Sequence, residues 1–466
     1  MEKKNLWDLY TKAQLKSLEL YCKDYRDFLD AGKTERECVD SIVNLVENEG
    51  FVEMESLLKG GKTLKPGDKV YRVNMNKAIV LYRIGNQPFE EGMNIVGAHI
   101  DSPRLDIKQN PLYEQEGFAY LDTHYYGGIK KYQWVTIPLA IHGVIVRKDG
   151  STVIVNLGEE EEDPVFFVSD LLIHLAQEQM DKKANVAIEG EMLDLIVGNK
   201  PLKVEDESDK KEPVKAAILA FLKDNYDIEE DDFLSAELEV VPAGLAREAG
   251  FDRSMILAYG QDDRVCAFAA LKAILDAKKC DRTQCCILVD KEEIGSVGAT
   301  GMRSLFFENT TREILNLCGI TEELALRRCL AASVMLSTDV TSAYDPNFAS
   351  AFDKNNEAFF GQGVAMNKFT GSRGKSGSND ANAEFIAMIR NVFFKNGITF
   401  QMTELGKVDQ GGGGTIAYIL ALYGMNVIDS GVPVLNMHAP WEATSKADCF
   451  EAKRAYQAFL EDAVRV

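Results

Sequence analysis

The chain has 466 residues and a formal net charge of -21, with 46% hydrophobic and 27% charged residues. This length exceeds the usual size of one hydrophobic core and predicts two or three domains. The negative charge disfavours nucleic acid and anionic membranes as partners, and we find neither a secretory signal nor an apolar run long enough to span a membrane. Nine cysteines without a C-x-x-C spacing indicate free thiols, so we expect the reducing cytoplasm.

The first elements along the chain are predicted helices. Residues 20–32 ("LYCKDYRDFLDAG") and 37–51 ("ECVDSIVNLVENEGF") place apolar side chains at i, i+3, i+4 and i+7. Short apolar runs follow at 77–85 ("KAIVLYRIG") and 94–99 ("NIVGAH"), as expected of strands that are buried on both faces. This order predicts an α/β domain with a parallel sheet.

The character of the sequence changes between Pro103 and Pro242. Stretches of alternating polarity, such as "TVIVNL" at 152–157, indicate half-buried strands. Beyond Ala243 the alternation of strands and helices returns. We therefore predict an α/β/α domain formed by residues 1–102 and 243–466, with an inserted β-rich domain at residues 103–242.

Two of the five histidines, His99 and His438, each follow a strand-like apolar run. Ligands in open α/β sheets gather at the carboxyl ends of strands, so both imidazoles are expected at that edge. The carboxylates predicted to reach the same edge are Glu292, Glu293, Asp339 and, at the start of an amphipathic helix, Asp263.

Each of these residues also has a structural explanation, since an aspartate can cap a helix and a buried histidine can be a satisfied core residue. Together they form a mixed nitrogen and oxygen ligand set, which suits zinc, cobalt or manganese better than calcium. Two divalent ions and one hydroxide balance three carboxylate ligands, so we expect two ions per chain. Asp101 shares a strand face with His99 and can accept an N–H from its imidazole.

The segment 288–296, "LVDKEEIGS", places two glutamates side by side at the end of an apolar run. Adjacent carboxylates repel each other, which favours a positive partner at this point. One glutamate can bind metal while the other accepts a proton as general base. The spacing alone does not assign the two roles.

The ordered motifs "AHIDSP", "QDDRV", "DKEEIGS", "STD" and "NMHAP" resemble those of the M18 family of metallo-aminopeptidases, whose best-known branch is aspartyl aminopeptidase. The resemblance spans nearly the whole chain. It implies a dinuclear zinc site with Asp263 as the bridge. It also implies that Glu292 is the general base and that residues 103–242 form a dimerisation domain within dodecamers. The implied ligands are His99, Asp263 and Asp339 for one ion, and Asp263, Glu293 and His438 for the other.

The resemblance also implies the reaction: a metal-bound hydroxide removes the N-terminal residue from peptides that have a free amine. Family members have a similar "IHL" histidine, here His174, that reaches into the active site of a neighbouring subunit. Without the resemblance, His174 would be interpreted as a half-buried helix residue, because Leu171, Leu172 and Leu175 flank it at helical spacing.

Members of the aspartyl branch resemble one another in having a histidine three residues after the metal-binding aspartate. In this chain the corresponding position, three residues after Asp339, is Ser342. We therefore do not predict a preference for acidic N-terminal residues. Two other functions stay open: a dinuclear hydrolase of another amide substrate, such as a deacylase, and an inactive scaffold of the same fold. All the candidate ligands and Glu292 are present, which disfavours the scaffold.

Overall fold

A computed structural model describes residues 5–203 and 211–466 of the chain. Among these residues, no helix is both long and apolar enough to cross a membrane. The strands, in chain order, are β1 (Val52–Glu53), β2 (Lys69–Asn74), β3 (Ala78–Arg83), β4 (Met93–His99), β5 (Arg104–Gln115), β6 (Phe118–Tyr126), β7 (Leu139–Val146), β8 (Thr152–Leu157), β9 (Leu195–Gly198), β10 (Ala236–Pro242), β11 (Arg247–Ala249), β12 (Met255–Ala258), β13 (Thr283–Val289), β14 (Val334–Ser337), β15 (Thr341–Ser342), β16 (Val364–Asn367), β17 (Phe400–Thr403), β18 (Asn426–Gly431), β19 (Pro433–Leu435) and β20 (Glu442–Ser445).

The α-helices, in chain order, are α1 (Leu6–Leu9), α2 (Lys12–Ala31), α3 (Glu35–Asn48), α4 (Met54–Gly60), α5 (Gln177–Met180), α6 (Ala184–Ala187), α7 (Pro213–Tyr226), α8 (Gln261–Asp276), α9 (Phe306–Leu317), α10 (Glu323–Ala332), α11 (Ala383–Lys395), α12 (Ala417–Ala421) and α13 (Lys446–Asp462). The two helices predicted near the N-terminus are confirmed as α2 and α3. Each begins with a capping box: the Thr11 and Thr34 hydroxyls accept the backbone N–H groups of Gln14 and Glu37, which fixes where each helix starts.

The first compact unit consists of Met1–Asp101, Ala246–Met437 and Glu442–Val466. It contains a nine-stranded sheet in the order β1-β2-β3-β13-β4-β14-β18-β16-β17. The central strands β13, β4, β14 and β18 are parallel, which confirms the predicted parallel sheet at its centre. Antiparallel pairs join β3 to β13 and β16 to β18 on either side of this centre. A separate five-stranded sheet of the same unit has the order β11-β12-β20-β19-β15.

The nine-stranded sheet is buried on both faces because side chains alternate along its strands. In β13, Ile287 and Val289 belong to one hydrophobic core, whereas Cys286 and Leu288 belong to the other. Residues of α2, α3, α8 and α13 contribute to the core on one face, and residues of α9 and α10 to the core on the opposite face. These three layers confirm the predicted α/β/α fold.

The second compact unit consists of Ser102–Leu245 and His438–Trp441. Its six-stranded sheet has the order β8-β7-β10-β5-β6-β9, and all neighbouring strands in it are antiparallel. Helix α7 lies close to β9, since a Cβ added at Gly198 would be 2.7 Å from Cδ1 of Ile218. The unit is rich in β-structure, as the alternating sequence pattern indicates. The exact domain boundaries at residues 102 and 242 stay a prediction.

Strand β18 passes very close to the segment that follows β14. A Cβ added at Gly431 would lie 1.6 Å from the carbonyl oxygen of Asp339 and 2.5 Å from its carbonyl carbon. Both atoms belong to the main chain, so no side-chain rotation can relieve the clash. Glycine at position 431 therefore allows the main chain of Asp339 to stay beside the sheet.

We expect Gly431→Ala to lower the free energy of unfolding by about 1–3 kcal/mol, the usual cost of adding volume to a packed region. Calorimetry should show a lower melting temperature. Gly60→Ala, at the end of α4, is the matched control because its added Cβ has nothing nearer than 3.8 Å. Equal melting temperatures for the two variants would contradict the close approach.

Candidate active site

Three neighbouring strands bring candidate side chains to one edge of the nine-stranded sheet. Strand β4 lies between β13 and β14 and parallel to both, with His99 in register with Val289. The backbone N–H of Thr338 donates to the carbonyl oxygen of Gly97 at 2.6 Å, which keeps the chain after β14 beside β4. As a result His99, the Glu292–Ile294 turn and Asp339 all leave the sheet at its carboxyl edge.

A further carboxylate reaches this edge from helix α8. Oδ1 of Asp262 lies 3.3 Å from Nε2 of His99, and Oδ1 of Asp339 lies 4.0 Å from the same nitrogen. All three residues are buried. Their ligand atoms lie within 4.8 Å of one another, and so do those of His99, Glu292 and Glu293. Each set could hold a metal ion.

Asp101 connects the histidine to the glutamate pair. Nδ1 of His99 lies 3.0 Å from the backbone carbonyl oxygen of Asp101 and 3.2 Å from its Oδ1. The same carboxylate accepts the backbone N–H groups of Glu292 and Glu293, each at 3.1 Å. One fully buried side chain therefore orients the imidazole and also holds the turn that carries both glutamates.

The orientation of the neutral His99 imidazole fits a cation between it and the neighbouring carboxylates. When Nδ1 of His99 donates its proton to Asp101, Nε2 of the neutral ring presents a lone pair. That lone pair faces the carboxylate oxygens of Asp262 and Asp339. Lone pair and carboxylates repel one another unless a proton or a metal ion lies between them, and the donor set of imidazole and carboxylates is one that zinc accepts.

The pKa shifts of His99 and Asp339 both arise from burial together with the crowding of carboxylates around the imidazole. Burial lowers the pKa of His99, but hydrogen bonds to Asp101 and Asp262 raise it, and the net direction is well above its usual value. Burial, followed by the negative charges of Asp263 and Glu292, raises the pKa of Asp339 well above its usual value. A bound cation would remove both effects, because it favours a neutral imidazole and ionised carboxylates.

The structure brings Asp262 into a candidate metal group with His99 and Asp339, while the bridging role predicted for Asp263 stays a prediction. Within the described residues, no candidate metal group contains Asp263. Its carboxylate is fully buried and interacts with Cys266 and Tyr456 in the core, where burial raises its pKa well above the usual value. Both aspartates act electrostatically on Asp339, but among the described residues only Asp262 belongs to a group of ligand atoms that are close enough to share an ion. The doubled aspartate of "QDDRV" is the signal that pointed here, but it could not choose between the two.

The remaining two candidates lie in the second unit. His438 has a left-handed backbone with a φ of 64°, and its Nδ1 lies 2.9 Å from the carbonyl oxygen of Gly128 in the same unit. The predicted metal role of His438 stays a prediction. His174 is exposed and lies in a turn, unlike the half-buried helix residue that its spacing alone would indicate. Its predicted role in substrate binding also stays a prediction.

Comparison with known proteins supplies the family. A family model described as aminopeptidase I zinc metalloprotease (M18) matches residues 28–460. A relative from Clostridium acetobutylicum, named "Probable M18 family aminopeptidase 1", is 56% identical over 99% of this chain and 98% of its own length. The crystal structure of an M18 family aminopeptidase from Thermotoga maritima has a TM-score of 0.94 and 45% identity, covering 99% of this chain and 100% of that one. The crystal structure of aminopeptidase I from C. acetobutylicum has a TM-score of 0.92 and 55% identity, with 99% of each chain covered.

A more distant structure shows the fold alone. The structure of the mApe1 dodecamer from S. cerevisiae has a TM-score of 0.77 at 21% identity and covers 95% of this chain and 97% of that one.

Alanine variants of the two adjacent aspartates should separate their roles. We expect Asp262→Ala to lose most bound zinc because its carboxylate lies at the sheet edge, whereas Asp263→Ala should keep the wild-type zinc content. Metal analysis of the purified, dialysed variants measures this directly, with circular dichroism as the check that both are folded. If Asp263→Ala loses zinc while Asp262→Ala retains it, the assignment of Asp262 is wrong.

Proposed function

The chain belongs to the M18 family of zinc metallo-aminopeptidases, and from this premise we propose which of its residues carry the reaction. As a member of that family it is a zinc-dependent aminopeptidase, a hydrolase. No comparison favours the alternatives of a deacylase or an inactive scaffold. The convergence of His99 with buried and half-buried carboxylates at one sheet edge is the observation on which the residue assignments rest.

We propose that the chain binds two divalent ions and that Asp262 is a ligand of both. The proposed metal is zinc. The distance of 3.3 Å between Asp262 and His99 supports the assignment of Asp262. Bound divalent ions act as Lewis acids toward a peptide carbonyl and lower the pKa of water. The proposed ligands are His99, Asp262 and Asp339 for one ion, and Asp262, Glu293 and His438 for the other.

In this proposal Glu292 is the general base, as the family resemblance implies. Its carboxylate takes a proton from the water that attacks the peptide carbonyl, and later delivers it to the nitrogen of the leaving amine. Glu292 is only half-buried, so it can meet substrate, while Asp101 holds its backbone N–H at 3.1 Å. Asp101 thereby fixes the base and the His99 imidazole relative to each other. The substrates in this proposal are peptides with a free N-terminus.

We also propose that the second unit assembles copies of this chain. The apolar side chains around His174 are unusually exposed: Leu172 by 55%, Ile173 by 67% and Leu175 by 68%. Exposed apolar clusters of this kind mark protein interfaces. Packing against a neighbouring copy would bury this cluster and could carry His174 into the neighbour's active site, where an N–H can stabilise the substrate or its oxyanion. Dimers assembled into a dodecamer are the proposed end state.

The proposed compartment is the cytoplasm. All nine cysteines are free thiols, and seven of them are buried. Proteins that keep so many thiols without pairing them are typical of reducing surroundings.

The decisive experiment on the reaction uses Glu292→Gln. The variant should retain its zinc, because the Glu292 carboxylate that the amide replaces is the proposed proton acceptor and is not a proposed metal ligand. It should hydrolyse an aminoacyl amide at least about 100-fold more slowly than the wild type, since an amide cannot accept the proton. The N-acetylated form of the same amide is the control substrate and should not be cleaved by the wild type. Activity of Glu292→Gln within about tenfold of the wild type would exclude Glu292 as the base.

Mixing of inactive subunits tests His174. Glu292→Gln subunits and His174→Phe subunits, combined under conditions that allow exchange, should regain activity because some sites then contain both groups. A mixture of Glu292→Gln with Asp262→Ala is the matched control, since both changes damage the subunit's own site and no exchange can repair it. If mixed oligomers form and the first mixture stays inactive, His174 does not act across subunits.

A further inference from the structure

A buried carboxylate that the reaction itself does not use lies directly behind Asp262. Glu442 begins strand β20 and is 1% exposed. Its Oε2 accepts the backbone N–H of Asp262 at 3.0 Å. The contact joins residues that are 180 positions apart in the sequence, so it depends on the tertiary fold rather than on local geometry.

A second contact to the same strand holds the residue before Asp262. The side-chain amide of Gln261 donates to the backbone carbonyl oxygen of Glu442 at 2.6 Å and to that of Ile256 at 3.1 Å. The oxygen of the same amide accepts the hydroxyl of Thr444 at 2.6 Å. The start of α8 is thus attached to β12 and β20, which pair with each other in an antiparallel register.

The burial of the Glu442 carboxyl group needs an explanation, because burying a polar group is costly unless it is hydrogen-bonded. The Oε2 atom of Glu442 meets this requirement by accepting the backbone N–H of Asp262. Such an acceptor fixes the main chain of Asp262, and the Asp262 carboxylate must point at the sheet edge with an accuracy that a metal site requires.

We propose that Glu442 is a positioning residue for the metal centre: by accepting the backbone N–H of Asp262, it directs the Asp262 carboxylate toward His99. The proposal rests on the proposed function, in which Asp262 is a metal ligand. Glu442 itself touches neither substrate nor metal in this scheme. Its proposed effect on the reaction passes through Asp262.

The test compares the zinc affinity of full-length variants by competition with a chromogenic chelator at fixed pH. Glu442→Ala removes the acceptor and should weaken zinc binding by about 10–100-fold, the usual effect of losing a group that orients a metal ligand. Glu442→Gln keeps an amide oxygen at the same reach and should bind zinc within about threefold of the wild type. Glu442→Asp shortens the side chain by one methylene and should resemble Glu442→Ala, which keeps the test valid if the alanine variant does not fold.

Asp448→Ala is the matched control for loss of a buried carboxylate. Asp448 accepts the backbone N–H groups of Gly361 at 2.7 Å and Gly363 at 2.8 Å, and neither is a proposed ligand. This variant should lower the melting temperature and leave zinc affinity unchanged. A weakened zinc affinity in Asp448→Ala would show that any buried carboxylate has this effect, and would overturn the specific role of Glu442.

Two further outcomes would also overturn the proposal: wild-type zinc affinity in both the alanine and aspartate variants of Glu442, or a loss in Glu442→Gln as large as in Glu442→Ala. Asp262→Ala, measured in parallel, separates this failure from that of the proposed function. If Asp262→Ala loses zinc and the Glu442 variants do not, only the positioning role is wrong. If Asp262→Ala itself keeps zinc, the ligand assignment fails and the positioning role fails with it.

Discussion

Electrostatic repulsion among carboxylates is the constraint on which this active site depends. The aspartates and glutamates at the edge of the parallel sheet crowd around the His99 imidazole, and burial weakens the water screening that would normally reduce the repulsion between their charges. Such an arrangement is unfavourable in a chain that already carries a net charge of -21. The fold has to supply rigid support for side chains that would otherwise move apart, and a cation has to supply the attraction.

That support comes mainly from hydrogen bonds between carboxylates and the main chain. Asp101 holds two consecutive N–H groups of the glutamate turn, and Glu442 holds the N–H of Asp262. In both cases a buried acidic residue that is not a proposed ligand fixes the backbone beneath one that is. Gly431 serves the same end by a different means, since its missing side chain leaves room for the main chain of Asp339. Acidic residues therefore have two roles at this site: some are proposed metal ligands, and others hold the backbone of those ligands in place.

The part of the site that lies on the sheet could be predicted from the sequence, because His99, Glu293 and Asp339 each follow a buried apolar strand and parallel strands end at one edge. The choice between Asp262 and Asp263 could not be predicted, because it depends on how the start of α8 is attached to β20, far along the chain. Helical spacing around His174 likewise does not give the local structure, since the residue lies in a turn. The apolar residues around it are exposed instead of packing on the unit's own sheet, and periodicity alone does not show what they face.

The segmented composition of the first unit has a consequence for synthesis of the protein on the ribosome. Strand β4 is translated before Ser102–Leu245, whereas both of its neighbours in the sheet, β13 and β14, are translated after that stretch. The antiparallel sheet of the second unit needs no strand from outside that stretch, so it can form while β4 still lacks partners. During this interval the backbone N–H and C=O groups along both edges of β4 lack their partners in the sheet, and unpaired strand edges are prone to aggregation. The proposed metal centre cannot be complete until Glu442 has been translated, since this residue follows all of the proposed ligands in the sequence.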